Sequence, residues 1–348
     1  MLGRCLIAMS LAIVLTSCRT VGVQEDKGLT PLGPNASGAW ELKVLGVDDD
    51  VKLAALRSLP KRRRVKLAVV GQGGIGRKRL AKFFTQGNTI TFHGCADQNK
   101  TTHDTGQVEV TLDMTAALGV PVDLHVWQPG ESFDDVARCM REAGETCDVV
   151  SFFQSFWGPK AQAITDAIGQ SPGALFVSPY GEYHQRPTIE APQGGACKPW
   201  VEKSIGHFIL AAPLARRKSK GDILTPFDRG PSDTEAVNFI APSHHANGTG
   251  GTCPAAATTS GVAACLYAVM AEKPSPQRVV ALMRDTVKID RKTITSVPEF
   301  DDESVDRLAK KIGALRYPPE GKTRKLDAPG VLNLYDAVMK SLERRRWW

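Results

Sequence analysis

Between Val65 and Val177 the chain alternates short apolar runs with segments of helical periodicity, and few folds accept that rhythm. Val65-Lys66-Leu67-Ala68-Val69-Val70 is long enough for a buried strand and too short for a core helix. A glycine turn, Gly71 to Gly76, leads into the helix-like stretch Arg77 to Phe84. The alternation continues through strand Thr89 to Ala96, helix Val108 to Leu118, strand Asp123 to Trp127, helix Phe133 to Ala143 and strand Asp148 to Phe153. Helix Ala161 to Ile168 and strands Ala174 to Val177 and Phe208 to Ala212 follow. Strands joined by helical crossovers lie parallel, and both faces of such a sheet must be covered. The expected fold class is therefore α/β, a doubly wound, mostly parallel sheet with helices on both faces.

Three regions are expected along the 348 residues. Arg4 precedes an apolar run from Leu6 to Leu15, too short to span a bilayer comfortably, so residues 1–17 read as an export signal. Leu15-Thr16-Ser17-Cys18 has the form of a bacterial lipobox, which implies cleavage before Cys18 and a lipid anchor on its thiol. Arg19 is not the aspartate of an inner-membrane retention signal, which points to the outer membrane of the envelope. Residues 18–60 are polar and punctuated by glycine and proline, as in Pro31-Leu32-Gly33-Pro34-Asn35, and read as a tether with little core. Residues 61–348 form the body. Residues 185–203, rich in proline, glycine and polar side chains, interrupt it as a loop insertion.

Export places the cysteines in an oxidising compartment. Setting aside Cys5 and Cys18 leaves Cys95, Cys139, Cys147, Cys197, Cys253 and Cys265, among which Cys139 and Cys147 are the best local candidates for a bridge. Buried free thiols are the alternative for all of them. The net charge of +7 is concentrated in Lys61-Arg62-Arg63-Arg64, Arg216-Arg217-Lys218 and Arg344-Arg345-Arg346. The first two clusters have no interleaved aromatics, so they read as solvated faces or contacts with anionic lipid, and no nucleic-acid partner is expected.

The segment Gly251-Thr252-Cys253-Pro254-Ala255-Ala256-Ala257-Thr258-Thr259-Ser260-Gly261-Val262-Ala263-Ala264 opens from a turn into a helix of small residues. Such a helix start stabilises a negatively charged sulfur. The segment resembles the nucleophile region of the subtilisin-like proteases, the subtilases, G-T-S-x-A-A-P-x-V-A-G, with Cys253 in place of the serine. Other pieces resemble the same family in the same order. The strand Val65 to Gly71 is similar to the one that supplies the catalytic aspartate, and Gly71 stands where that aspartate would be. His103-Asp104-Thr105-Gly106-Gln107-Val108-Glu109-Val110 resembles H-G-T-x-V-A-E-I, and His103 matches the catalytic histidine. Ala174 to Glu182 takes the place of the strand ending in the oxyanion asparagine, with Glu182 at that position. Phe227 to Pro231, Val237 to Pro242, Ser275 to Leu282 and Gly330 to Ala337 extend the resemblance to the end of the body.

The resemblance implies a subtilisin-like fold, and the departures bear on activity. In the family, serine attacks, histidine takes its proton, aspartate fixes the histidine tautomer and asparagine stabilises the oxyanion. Of these residue types only His103 is kept. The sequence therefore predicts a pseudopeptidase that binds a polypeptide or protein partner, with His103 left without a carboxylate unless Asp97 or Asp104 swings in. An active endopeptidase using Cys253 and His103 is the first alternative.

Gly71-Gln72-Gly73-Gly74-Ile75-Gly76 supports a second alternative, because it satisfies G-x-G-x-x-G between a strand and a helix. Asp97 follows after about twenty residues, the spacing of a dinucleotide-binding unit, and Lys78 or Arg79 would serve an extra phosphate. A tight packing turn is the plainer account, and no cofactor is expected. His184, His207, His244 and His245 show no metal-ligand spacing and read as surface histidines, so no metal is expected either.

Overall fold

A computed structural model describes residues 39–71, 74–84, 87–94, 103–130, 132–153, 162–179, 206–217, 221–224, 239–243, 245, 252–287 and 331–343. Positions 18, 95, 97, 182, 184, 197 and 244 and the 185–203 insertion lie outside the described residues.

The sheet is built on β1 (Val65–Val70), β2 (Thr89–His93), β3 (Val122–Trp127), β4 (Val149–Phe152), β5 (Leu175–Pro179), β6 (Phe208–Arg217), β7 (Gly221–Leu224) and β8 (Phe239–Pro242). Their order is β2-β3-β1-β4-β5-β6-β7, with β8 also paired to β6. Every pairing is parallel except β6 with β7. Parallel strands need crossovers, which are supplied here by α3 (Arg77–Phe84), α4 (His103–Ala117), α5 (Phe133–Thr146) and α6 (Gln162–Gly169). They are preceded by α1 (Trp40–Val44) and α2 (Asp50–Ser58), and followed by α7 (Thr252–Val269), α8 (Pro276–Arg284) and α9 (Leu334–Glu343).

Alternate residues of a strand point to opposite faces, and the core divides accordingly. Val65, Leu67 and Val69 of β1 pack with α1, α2, α4, α7, α8 and α9 on one face. Ala68 and Val70 pack with Val136, Met140 and Ala143 of α5 and Ile164, Ala167 and Ile168 of α6 on the other. The doubly wound architecture expected from the alternation is what the chain adopts.

The central helix is α7. From Cys253 to Val269 it is buried along its whole length, so it carries no amphipathic stripe. Small residues make this possible. A Cβ on Gly261 would stand 2.7 Å from Met114 Cγ and 2.8 Å from Met114 Cβ, so α4 and α7 approach closely only because position 261 lacks one. The hydroxyls of Thr259 and Ser260 donate to the carbonyls of Ala255 and Ala256 one turn back, which satisfies them inside the apolar surroundings.

Two expectations need correction. Residues 39–59 are not a core-free tether, because Leu42 and Leu45 in and after α1, and Leu53 and Leu56 of α2, are buried in the main cluster. The periodic leucines of α2 are the signal, and Asp49 caps that helix by accepting from Lys52 N at 2.7 Å. Glycine and proline upstream obscured a short amphipathic pattern. Cys139 and Cys147 are both buried and are not bridged to each other. Eight residues along α5 separate them by about 12 Å of axial rise, beyond the reach of a disulfide.

Candidate functional site

In a parallel sheet the crossovers bring helix N-termini to the carboxyl edge of the strands, where polar sites collect. At that edge Val70 of β1 pairs with Phe152 of β4, so the next residues, Gly71 and Phe153, lie side by side. Gly71 N–H donates to Trp127 O at the end of β3, at 3.1 Å. Helices α4 and α7 run in the same direction over this end of the sheet. Thr111 Oγ1 donates to Ala257 O at 3.0 Å, and Gly261 abuts Met114 further along both helices, so the two N-termini lie at the same end.

His103 is the first residue of α4, which begins five residues earlier than the periodicity suggested. Its Nδ1 lies 3.0 Å from Asp104 Oδ1, with the Asp104 side chain 3% exposed and the imidazole 23% exposed. The Asp104 carboxylate fills the space of the missing side chain at position 71. A Cβ built on Gly71 would stand 2.9 Å from Asp104 Cγ, and closer still to Oδ2. Gly71 leaves the strand end without a carboxylate, and one from the adjacent helix occupies that place. Nδ1–H donation to Asp104 leaves Nε2 as the basic nitrogen. Gln107, one turn along α4, puts its Nε2 3.4 Å from His103 Nε2.

Cys253 is the second residue of α7 and is 3% exposed. Its Sγ donates to Phe153 O at 3.5 Å, which seats the thiol over the end of β4, beside the end of β1 where Asp104 sits. His103 and Cys253 are thus brought to neighbouring strand ends at the same edge of the sheet. Below them the Ser151 and Ser260 hydroxyl oxygens lie 3.0 Å apart, within hydrogen-bond distance, tying α7 to β4. Glu182 and the oxyanion position lie outside the described residues.

The glycine turn is closed by α4. Gly76 N–H donates to Thr105 Oγ1 at 2.9 Å, and Gly74 has φ of +72°, a conformation that favours glycine. Glu109 binds Arg79 and Lys82 at 2.8 and 2.7 Å, clamping α3 onto α4. Burial works to raise the Glu109 carboxyl, but these two cations outweigh it and hold it below the ordinary range. A dinucleotide-binding unit places β2 beside β1, so that the acidic residue after β2 reaches the ribose. Here β3 lies between them.

The histidines expected at the surface include two that are buried. His207 Nε2 donates to Ile168 O at 2.8 Å. His245 Nδ1 lies 3.1 Å from Glu41 Oε1, with both side chains at most 3% exposed, and its Nε2 lies 3.2 Å from Thr258 Oγ1 on α7. No signal in the spacing distinguished them, because their partners come from α1, α6 and α7. Among the described residues no group of three or more His, Cys, Asp or Glu side chains is arranged to hold a metal ion.

No protein-family model matches the chain, and no curated protein matches it in sequence. Solved structures do match. The subtilase cytotoxin SubAB aligns with a TM-score of 0.57 at 15% identity, over 88% of this chain and 97% of its own. A lanthipeptide protease aligns with a TM-score of 0.55 at 13% identity, over 87% and 97%. The PatG macrocyclase domain aligns with a TM-score of 0.52 at 14% identity, over 83% and 95%. The fold is subtilisin-like. At these identities the likeness carries the architecture, and the chemistry has to be argued from the side chains.

Proposed function

We propose that this chain is a thiol-nucleophile peptidase of subtilisin-like fold, in which Cys253 attacks, His103 takes its proton and Asp104 orients His103. The observation that carries this reading is Asp104 filling the vacant place beside Gly71 with its carboxylate on His103 Nδ1. It supplies one of the groups whose loss favoured an inactive site. A carboxylate on Nδ1 keeps the second ring nitrogen available as a base and stabilises the imidazolium that forms. The N-terminus of α7 stabilises the thiolate.

The mechanism begins with the Cys253 proton passing to His103 Nε2, after which sulfur attacks the peptide carbonyl. The tetrahedral oxyanion receives the backbone N–H at the start of α7. A second donor is the weak point, because the sequence offers Glu182 where the resemblance expects an asparagine amide. Loss of that amide alone slows such enzymes by about 10² to 10³. Turnover is accordingly slow, and a long-lived acyl-enzyme suits a protein that engages a polypeptide partner. The same reading places the protein in a bacterial envelope, held to the outer membrane by lipid on Cys18 and needing no cofactor. Among the described residues no helix is long and apolar enough to cross a membrane.

The pseudopeptidase remains a second reading, favoured by Glu182 in the sequence and by the near-complete burial of Cys253. Incubating the purified chain with an unfolded protein substrate separates the two. Slow cleavage that disappears in Cys253→Ala supports the peptidase, whereas cleavage that is absent, or equal in that variant, supports a binding protein.

A further inference from the structure

Gln107 is 2% exposed and its Oε1 has no hydrogen-bond partner among the described residues, an arrangement costly enough to need a reason. Its Nε2 lies 3.4 Å from His103 Nε2. Counting back four residues on each helix from the Thr111–Ala257 bond places Gln107 level with Cys253 along the α4–α7 seam. The amide therefore sits at the height of the thiol and touches the nitrogen that the thiol's proton must reach.

We propose that Gln107 is a positioning residue for His103, an amide that partners Nε2 in both protonation states; this rests on the assignment of Cys253, His103 and Asp104 as the reacting set. With Nδ1–H donating to Asp104, the neutral ring offers a lone pair at Nε2, and the Gln107 amide N–H donates to it. When Cys253 gives up its proton, the S–H bond breaks, its electron pair stays on sulfur and the proton is placed on Nε2. The ring then presents an N–H where it had a lone pair. A half-turn of the terminal amide replaces Nε2 of Gln107 with Oε1, which accepts from the new N–H without any backbone movement. The orphaned Oε1 is thus the acceptor needed for the second half of the proton cycle. Glutamate can only accept in its ionised form and leucine can do neither, so no other side chain of this size serves both states.

The test is nitrogen NMR of the His103 ring in the full chain carrying Cys253→Ala, which removes the thiol as a competing partner. The neutral ring is expected to hold its proton on Nδ1, with the Nε2 signal displaced by a hydrogen-bond donor. Gln107→Leu should return that signal to the value of a free lone pair, and Gln107→Glu should draw a proton onto Nε2 at neutral pH. An Nε2 signal unchanged in both variants overturns the proposal; if Gln107→Leu does not fold, an unchanged signal in Gln107→Glu is sufficient. The peptidase reading is tested separately, by adduct formation at Cys253 in the unsubstituted chain. Adducts with an unresponsive Nε2 would remove Gln107 alone, and a responsive Nε2 without adducts would remove the peptidase alone.

Discussion

Asp104 Cγ lies 2.9 Å from where a Cβ on Gly71 would stand, so the carboxylate of the residue after His103 occupies the space that a side chain at the end of β1 would take. Either position delivers the group to the same point. Only one can be occupied, because the two side chains claim the same volume.

Gly71→Asp is therefore expected to lose the proposed Cys253 reactivity, although it supplies the aspartate that the subtilase resemblance implies at that position. It forces Asp104 off His103 and overfills a buried site, at a cost of about 1 to 3 kcal/mol. Adding Asp104→Gly to the same chain removes the clash and recreates the usual arrangement. The double variant should recover Cys253 alkylation to within about tenfold of the native rate, on the triad logic that geometry rather than sequence position defines the role. A double variant as unreactive as Asp104→Gly alone would show that the two positions are not equivalent.

Close approach of α4 and α7 depends on Gly261, and Gly261→Ala pushes against the Cβ of Met114 as well as its flexible end. Denaturant unfolding should report a loss of about 1 to 3 kcal/mol. A neutral or stabilising substitution would mean that the helices separate more easily than their contact suggests.

Leu56→Ala tests whether residues 39–59 belong to the body. Leu56 is 1% exposed in the main core, and truncating such a leucine costs about 2 to 5 kcal/mol. A true tether would lose nothing measurable.

Asp113 provides a pH test. Burial raises its carboxyl from 3.8 to about 7, despite the opposing pull of Lys82. The folded chain thus holds this proton over a pH range where the unfolded chain has lost it. Stability from this group is fully present below pH 3.8, falls as pH rises and levels off above about 7. Asp113→Asn should flatten that decline and raise stability at pH 8 by about 1 to 3 kcal/mol relative to the native chain. A variant that is less stable at pH 8 would show that the ion pair with Lys82, 3.8 Å away, outweighs burial.

The β-strand rhythm was legible because each of β1, β3, β4 and β5 is a short apolar run bounded by turns, and the parallel order followed from the helices between them. His103 and Cys253 were legible from motif order, since both open helices at one sheet edge. The position of Asp104 was legible only as one of two possibilities, because adjacency in sequence does not say whether a carboxylate turns towards the imidazole or away. What decided it was the absent side chain of Gly71, a vacancy in three dimensions. His245 and Glu41 were illegible for a related reason: their pairing joins α1 to the segment before α7 and depends wholly on packing. The glycine run left two readings open, since a turn that packs against Thr105 and one that cradles a pyrophosphate share a pattern and differ in strand order.

The central claim is that Cys253 is a nucleophile activated by His103 and Asp104. Mass spectrometry of the purified chain treated with a peptide carrying a thiol-reactive electrophile measures this directly, by counting adducts and locating them. The account predicts a single rapid adduct on Cys253, slowed by about 10² to 10⁴ in Asp104→Asn and lost in His103→Ala. Modification of Cys253 at the same rate in all three chains, or only after denaturation, would contradict it.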